Sequence, residues 1–301
     1  MAFNVQTFKT RTITAILFAA VMLAGLLWNE WSFLLLFSII HFGCWFEYQK
    51  LIGLIDTGYK NINPFHQYGV MMAGYGFMLF LTNDWFIPGT GVSLHAIGWI
   101  LALIGLFIIP LSELLFSKQL SLKNFGYSVL GLIYISLSWA LLLNIRSGAM
   151  WLPHNGEGAL ESVSVSLAKM SGYVIPLIII GSIWINDTMA YIVGSLIGKT
   201  PLSSISPKKT WEGTVGGIIL AIVVVGVAGY FIQSSSLWVW AGIAAISSVA
   251  GTFGDLLESK LKRMAGVKDS GSFMPGHGGF LDRFDSLLIA VPFVWLFLKL
   301  I

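Results

Sequence analysis

Four short stretches of this 301-residue chain gather the side chains that could do chemistry. In "GTFGDLLESKLKR", residues 251 to 263, Asp255 and Glu258 stand three apart and share one helical face, and Lys262 lies four beyond Glu258, within pairing reach. In "GHGGFLDRFDS", residues 276 to 286, Asp282 and Asp285 repeat that spacing, with Arg283 offset from their face. Pro275, Gly276, Gly278 and Gly279 just ahead do not sustain a helix. They predict a loop whose backbone N–H groups approach a ligand as an anion nest, with His277 held near solvent. "SISPKKTWEG", residues 204 to 213, sets Ser206, Lys208, Lys209 and Thr210 before a helix start, which suits phosphate and also an anionic lipid surface. Finally, Asp187 sits alone inside "IIIGSIWINDTMAYIVGSLIG". Acids able to hold magnesium through oxygen, beside cations and glycines able to take phosphate oxygens, describe a divalent-metal and polyphosphate site.

The elements that must position these residues are membrane helices. Hydrophobic residues make up 56% of the chain and charged residues 10%, and the mean hydropathy is +0.82. Such values exclude an ordinary soluble core and predict an all-α, polytopic helical membrane protein. Apolar runs predict nine spans, at about 12 to 28, 31 to 46, 67 to 82, 93 to 112, 125 to 143, 172 to 194, 213 to 232, 237 to 254 and 286 to 301. They form a single integral membrane domain, with residues 1–170 mainly scaffold and 171–301 the catalytic half. Of the 17 Lys and Arg, all but Arg146, Lys169 and Lys299 fall on one side of these spans, which places the N-terminus in the cytoplasm and the C-terminus outside. All four polar stretches then lie at or near the cytoplasmic face. A carboxylate such as Asp187 inside a span costs about 2.5 to 3.5 kcal/mol even on lenient scales, so it needs a partner, a wet cavity or a task. The single cysteine, Cys44, excludes an intrachain disulfide, the five histidines lack zinc-ligand spacing, and a net charge of +3 points to no nucleic-acid partner.

"SKLKRMAGVKDSGSFMPGHGGFLDRFD", from Ser259 to Asp285, resembles the signature of the phosphatidate cytidylyltransferases, the CDP-diacylglycerol synthases. "DTMAY" (Asp187 to Tyr191), "SPKKTWEG" (Ser206 to Gly213) and "GDLLES" (Gly254 to Ser259) are similar to that family's motifs and follow its order. Met274 and Ser195 depart from the usual residues, a branched aliphatic or Phe and an Arg respectively. The resemblance implies a reaction of CTP with phosphatidate to give CDP-diacylglycerol and pyrophosphate, and the short cytoplasmic N-terminus points to a bacterial inner (plasma) membrane. Asp255, Asp282 and Asp285 are then the catalytic acids, holding Mg²⁺ and with room for a second cation, and Asp187 is a further candidate metal ligand. Lys208, Lys209, Lys262, Arg263 and Lys268 would neutralise triphosphate or pyrophosphate, with Arg283, Ser206 and Thr210 also at the substrates and His277, Gly278 and Gly279 offering the loop. Relatives also imply a homodimer. Two other classes remain open at this point, a different CTP-using lipid enzyme (a polyprenol or dolichol kinase, or a CDP-archaeol synthase) and an ion-coupled transporter.

Overall fold

With no water in the hydrocarbon layer to satisfy backbone polar groups, a chain this apolar closes its hydrogen bonds within helices. The computed structural model describes residues 5–82, 85–116, 121–148, 172–232, 237–273 and 278–301, and among them helices dominate. The long helices are α1 (Val5–Leu27), α2 (Glu30–Ile55), α4 (Pro64–Phe80) and α5 (Leu94–Phe116), with the short α3 (Thr57–Lys60) linking α2 to α4. Then come α6 (Leu122–Ser147), α7 (Val174–Ile197), α8 (Trp211–Ile232), α9 (Leu237–Met264) and α10 (Leu281–Leu300). Six of them, α2 and α5 to α9, are long and apolar enough to cross a membrane. Outward-facing apolar residues on α5, among them Leu106, Phe107, Leu114 and Leu115, suit a lipid surround and no aqueous one.

Each expected span falls on one of the long helices, but several helices run past the apolar stretch. Past the apolar run that ends at about 254, α9 continues to Met264, so Asp255, Glu258, Lys262 and Arg263 stand on its last turns. Likewise α10 starts at Leu281, five residues before the expected 286, and carries Asp282 and Asp285 in its opening turns. Hydropathy marks where lipid ends; hydrogen bonding lets a helix continue beyond it.

Glycines set how closely these helices pack, since only a residue without Cβ permits backbone-to-backbone approach. A Cβ on Gly254 of α9 would collide with the Asp285 carbonyl of α10, so this crossing places Asp255 beside Asp285. Gly213 and Gly217 let α8 lie against Ala190 and Asn186 of α7. In the N-terminal half, α6 contains a π-helical turn, Leu132–Leu137. Its Ser136 hydroxyl takes the Trp45 indole N–H at 2.9 Å and lies 3.0 Å from His41 Nε2. Next to that turn, the Ser138 hydroxyl reaches α10 and donates to the Leu288 carbonyl at 2.5 Å. Pro292, four residues on, has no N–H to offer that carbonyl, so Ser138 supplies the missing donor.

Candidate active site

At one end of the bundle, where α7 and α9 end and α8 and α10 begin, two cavities adjoin. The first, about 690 Å³, has a polar wall that includes Asp255, Lys262, Asp282 and Asp285. Arg263, Lys268, Gly278 and Arg283 also line it, so Arg283, expected off the acidic face, shares the space. Apolar side chains of α1 and α7, Phe18, Met22, Ile180, Ile183 and Trp184, complete its lining. The second cavity, about 600 Å³, is lined by Ser206, Lys208, Lys209 and Thr210 together with Tyr191 and Thr252. Asp187 and Asp255 line both, and so form the boundary between them.

Local structure explains each placement. Thr210 stands just before α8 and its hydroxyl accepts the Gly213 N–H at 3.2 Å, a cap that fixes the start of the helix. Glu212 accepts the N–H groups of Lys199 and Thr200, both at 3.2 Å, and folds the α7–α8 loop back over the helix end. That fold brings Lys209 onto Asp255, with which it forms an ion pair. Asp255 also takes the Ser259 hydroxyl at 3.3 Å, one helical turn on. Asp187 has Asn186 Nδ2 at 3.4 Å, a weak partner that leaves the carboxylate facing the cavities. Lys262 pairs with Glu258, the four-residue pair its spacing predicted, and also reaches Asp282 Oδ1 at 2.6 Å.

Asp282 is held from its other side. Its Oδ2 accepts the Ser270 N–H at 2.9 Å and the Gly279 N–H at 2.8 Å. Gly278 has φ +82°, a left-handed conformation that glycine adopts without strain, and the turn there carries the chain to that bond. The expected nest is thus in contact with this carboxylate: the Gly279 N–H assigned to a ligand donates to Asp282. Gly279 is buried and lines neither cavity, whereas Gly278 lines the first. His277 lies outside the described residues.

Magnesium was expected on Asp255, Asp282 and Asp285, with Asp187 as a further ligand. Among the described residues no three acids or histidines converge closely enough to hold an ion by themselves. Magnesium commonly takes one or two carboxylates and completes its shell with water and substrate phosphate. The hard-oxygen pair Asp255 and Asp285, brought together at the Gly254 crossing, fits that pattern.

Two further residues shape the site: Glu47, outside every motif, and Ser270, inside the signature but given no role there. Glu47, on α2, accepts the N–H groups of Phe280 and Leu281, each at 2.9 Å. The Ser270 hydroxyl lies 2.7 Å from Glu47 Oε2 and 2.9 Å from Asp282 Oδ2. The available clue was an acid at the end of the apolar run "IIHFGCWFE".

The model of the family described as "Cytidylyltransferase family" matches residues 9–301. A Staphylococcus saprophyticus protein called phosphatidate cytidylyltransferase is 31% identical over 287 residues, covering 94% of this chain and 96% of its own. One of the same name from Staphylococcus aureus is 29% identical over 292 residues, with the same coverage of both chains. A chloroplastic phosphatidate cytidylyltransferase from Arabidopsis thaliana is 38% identical over 190 residues, 60% of this chain and 46% of its own.

Proposed function

The chain belongs to the cytidylyltransferase family, and we propose that it joins CTP to phosphatidate across the two adjoining cavities, giving CDP-diacylglycerol and pyrophosphate. The observation that carries this reading is the shared boundary: Asp187 and Asp255 line both cavities, the first of which also holds acids, cations and a group of apolar side chains, while the second sets hydroxyls and lysines beside Ala190 and Tyr191 of α7. Each volume lies in the ordinary range for small-molecule sites. The lipid phosphate belongs in the first, its glycerol and acyl ends against Phe18, Met22 and Trp184. The triphosphate belongs in the second, with Ser206 and Thr210 hydroxyls and the ammonium groups of Lys208 and Lys209 on its oxygens.

Near neutral pH the phosphate of phosphatidate is already largely ionised, so the chain needs no strong base to make it a nucleophile. An oxygen of that phosphate forms a bond to the α-phosphorus of CTP, the bond from that phosphorus to the bridging oxygen breaks, and pyrophosphate leaves with the electron pair. The barrier is the approach of one anion to another. Lys209 lowers it by carrying positive charge to the boundary, and Lys262, Arg263, Lys268 and Arg283 extend that field over the first cavity. Asp255 and Asp285 would hold magnesium, with Asp282 and Asp187 next to them; when bound, the ion would supply charge neutralisation between the two phosphates. We place this end of the bundle at the cytoplasmic face of a bacterial inner membrane, where the basic residues collect and CTP is available.

The test is direct. Purified protein in detergent is given labelled CTP, Mg²⁺ and phosphatidate, with prenols and isoprenoid lipid phosphates in parallel. CDP-diacylglycerol and pyrophosphate formed from phosphatidate support the proposal. A phosphorylated prenol with CDP as co-product overturns it in favour of a kinase.

A further inference from the structure

Glu47 is an acid with an unexplained cost. It is only 9% exposed, and among the described residues no Lys or Arg pairs with it. A carboxylate so placed needs strong donors. Three are present: the N–H groups of Phe280 and Leu281 at 2.9 Å and the Ser270 hydroxyl at 2.7 Å. The first two open α10, whose own N-cap residue, Phe280, offers no side-chain oxygen, so the cap comes from a residue 233 positions earlier. Stabilising that helix end would take only a local Ser or Asp. The remote acid adds a tie between α2 and the residues that grip Asp282.

We propose that Glu47 is a positioning residue for Asp282, acting through Ser270 and the turn from Gly279 to Leu281. The same short stretch of backbone serves both carboxylates. Gly279 donates to Asp282 and the next two residues donate to Glu47. Ser270 touches both, its N–H on Asp282 Oδ2 and its hydroxyl between the two acids. With Oδ2 so fixed, Oδ1 turns to Lys262 and the cavity. The glycines agree: a Cβ on Gly271 or Gly279 would collide with the Glu47 carboxylate, so both positions leave room for this acid. Losing the Glu47 charge would let the turn shift and Asp282 swing, without removing a group that touches substrate.

The inference rests on the reading that Asp282 acts at the reaction centre, and the experiment separates the two. Glu47→Gln, Glu47→Asp, Ser270→Ala and Asp282→Asn are purified and followed by thermal unfolding, by steady-state kinetics, and by amide hydrogen exchange of the peptide spanning Phe280 to Asp282 in metal-free protein. For Glu47→Gln we expect at least a 10-fold loss of kcat with KM for phosphatidate changed by less than 3-fold. We also expect faster exchange in that peptide, partial recovery in Glu47→Asp, and a double variant with Asp282→Asn no worse than Asp282→Asn alone. Should Glu47→Gln not fold, Glu47→Asp decides by the same readings, since it keeps the charge and draws the carboxylate back from the turn by one methylene. Unchanged kcat and exchange in the folded variants, while Asp282→Asn is inactive, overturns the positioning role alone. Near-normal Asp282→Asn overturns the reading beneath it.

Discussion

Asp282 divides its carboxylate between two jobs, Oδ2 bound by backbone N–H groups and Oδ1 set against Lys262. An acid fixed on one side and open on the other can hold a charge at a defined point without moving to meet it, which is what electrostatic catalysis asks of a side chain. Asp282→Asn keeps the size and removes the charge. We expect it to lower kcat by roughly 100-fold, the range seen when a group around a metal or reacting centre is lost. Turnover near normal in a folded variant would remove Asp282 from the mechanism. Lys208 differs, being exposed and lining only the second cavity. Lys208→Ala is expected to raise KM for CTP several-fold while leaving KM for phosphatidate unchanged, and an unaltered KM for CTP would place the triphosphate elsewhere.

At the scale of elements, the site depends on how closely helices cross. Gly254→Ala adds one methyl group against the Asp285 carbonyl, and overpacking of that kind costs about 1 to 3 kcal/mol. It also separates α9 from α10 where Asp255 meets Asp285, so kcat is expected to fall by more than 10-fold along with a lower unfolding temperature. Ser138→Ala acts on the same helix but away from the cavities. It leaves the Leu288 carbonyl without its donor, at a cost of about 1 to 3 kcal/mol, and activity per folded molecule should survive. Further out, Asp56 caps α3 through the Gly58 N–H at 2.8 Å and pairs with Lys123 of α6 at 2.5 Å. The hydrogen bond from Lys123 is the main cause of a carboxyl held below its usual value, helped by the Gly58 N–H. A depressed carboxyl contributes stability above its unfolded value, near 3.9, and loses it as pH falls through the lower folded value. Thermal unfolding between pH 3 and 7 should therefore show a shallower acid-side decline in Lys123→Ala than in the parent.

At the scale of the molecule, some of this architecture could be read from the sequence and some could not. Apolar runs gave away the helices because lipid imposes one solution on the backbone, and Asp187, Asp255, Asp282 and Asp285 stood out because charge is rare in such a chain. The apolar runs stop short of the ends of α9 and α10, which project past them, held by hydrogen bonds and by packing at Gly254. Glu47 was missed because its partners are a Ser and two backbone amides more than 220 residues away, a pairing that no local spacing encodes. Sidedness was read from charge alone, and the fold makes it testable. Cys44, the only cysteine, is fully buried, so the parent should be silent to a membrane-impermeant maleimide. Ser204 is exposed on the α7–α8 loop and Thr90 on the connection between α4 and α5. If the basic residues face the cytoplasm, Ser204→Cys reacts in inside-out vesicles and is protected in intact spheroplasts, and Thr90→Cys does the opposite. Labelling of both from one side would break the assumed alternation of the spans, and the reverse pattern would put the two cavities on the face away from CTP.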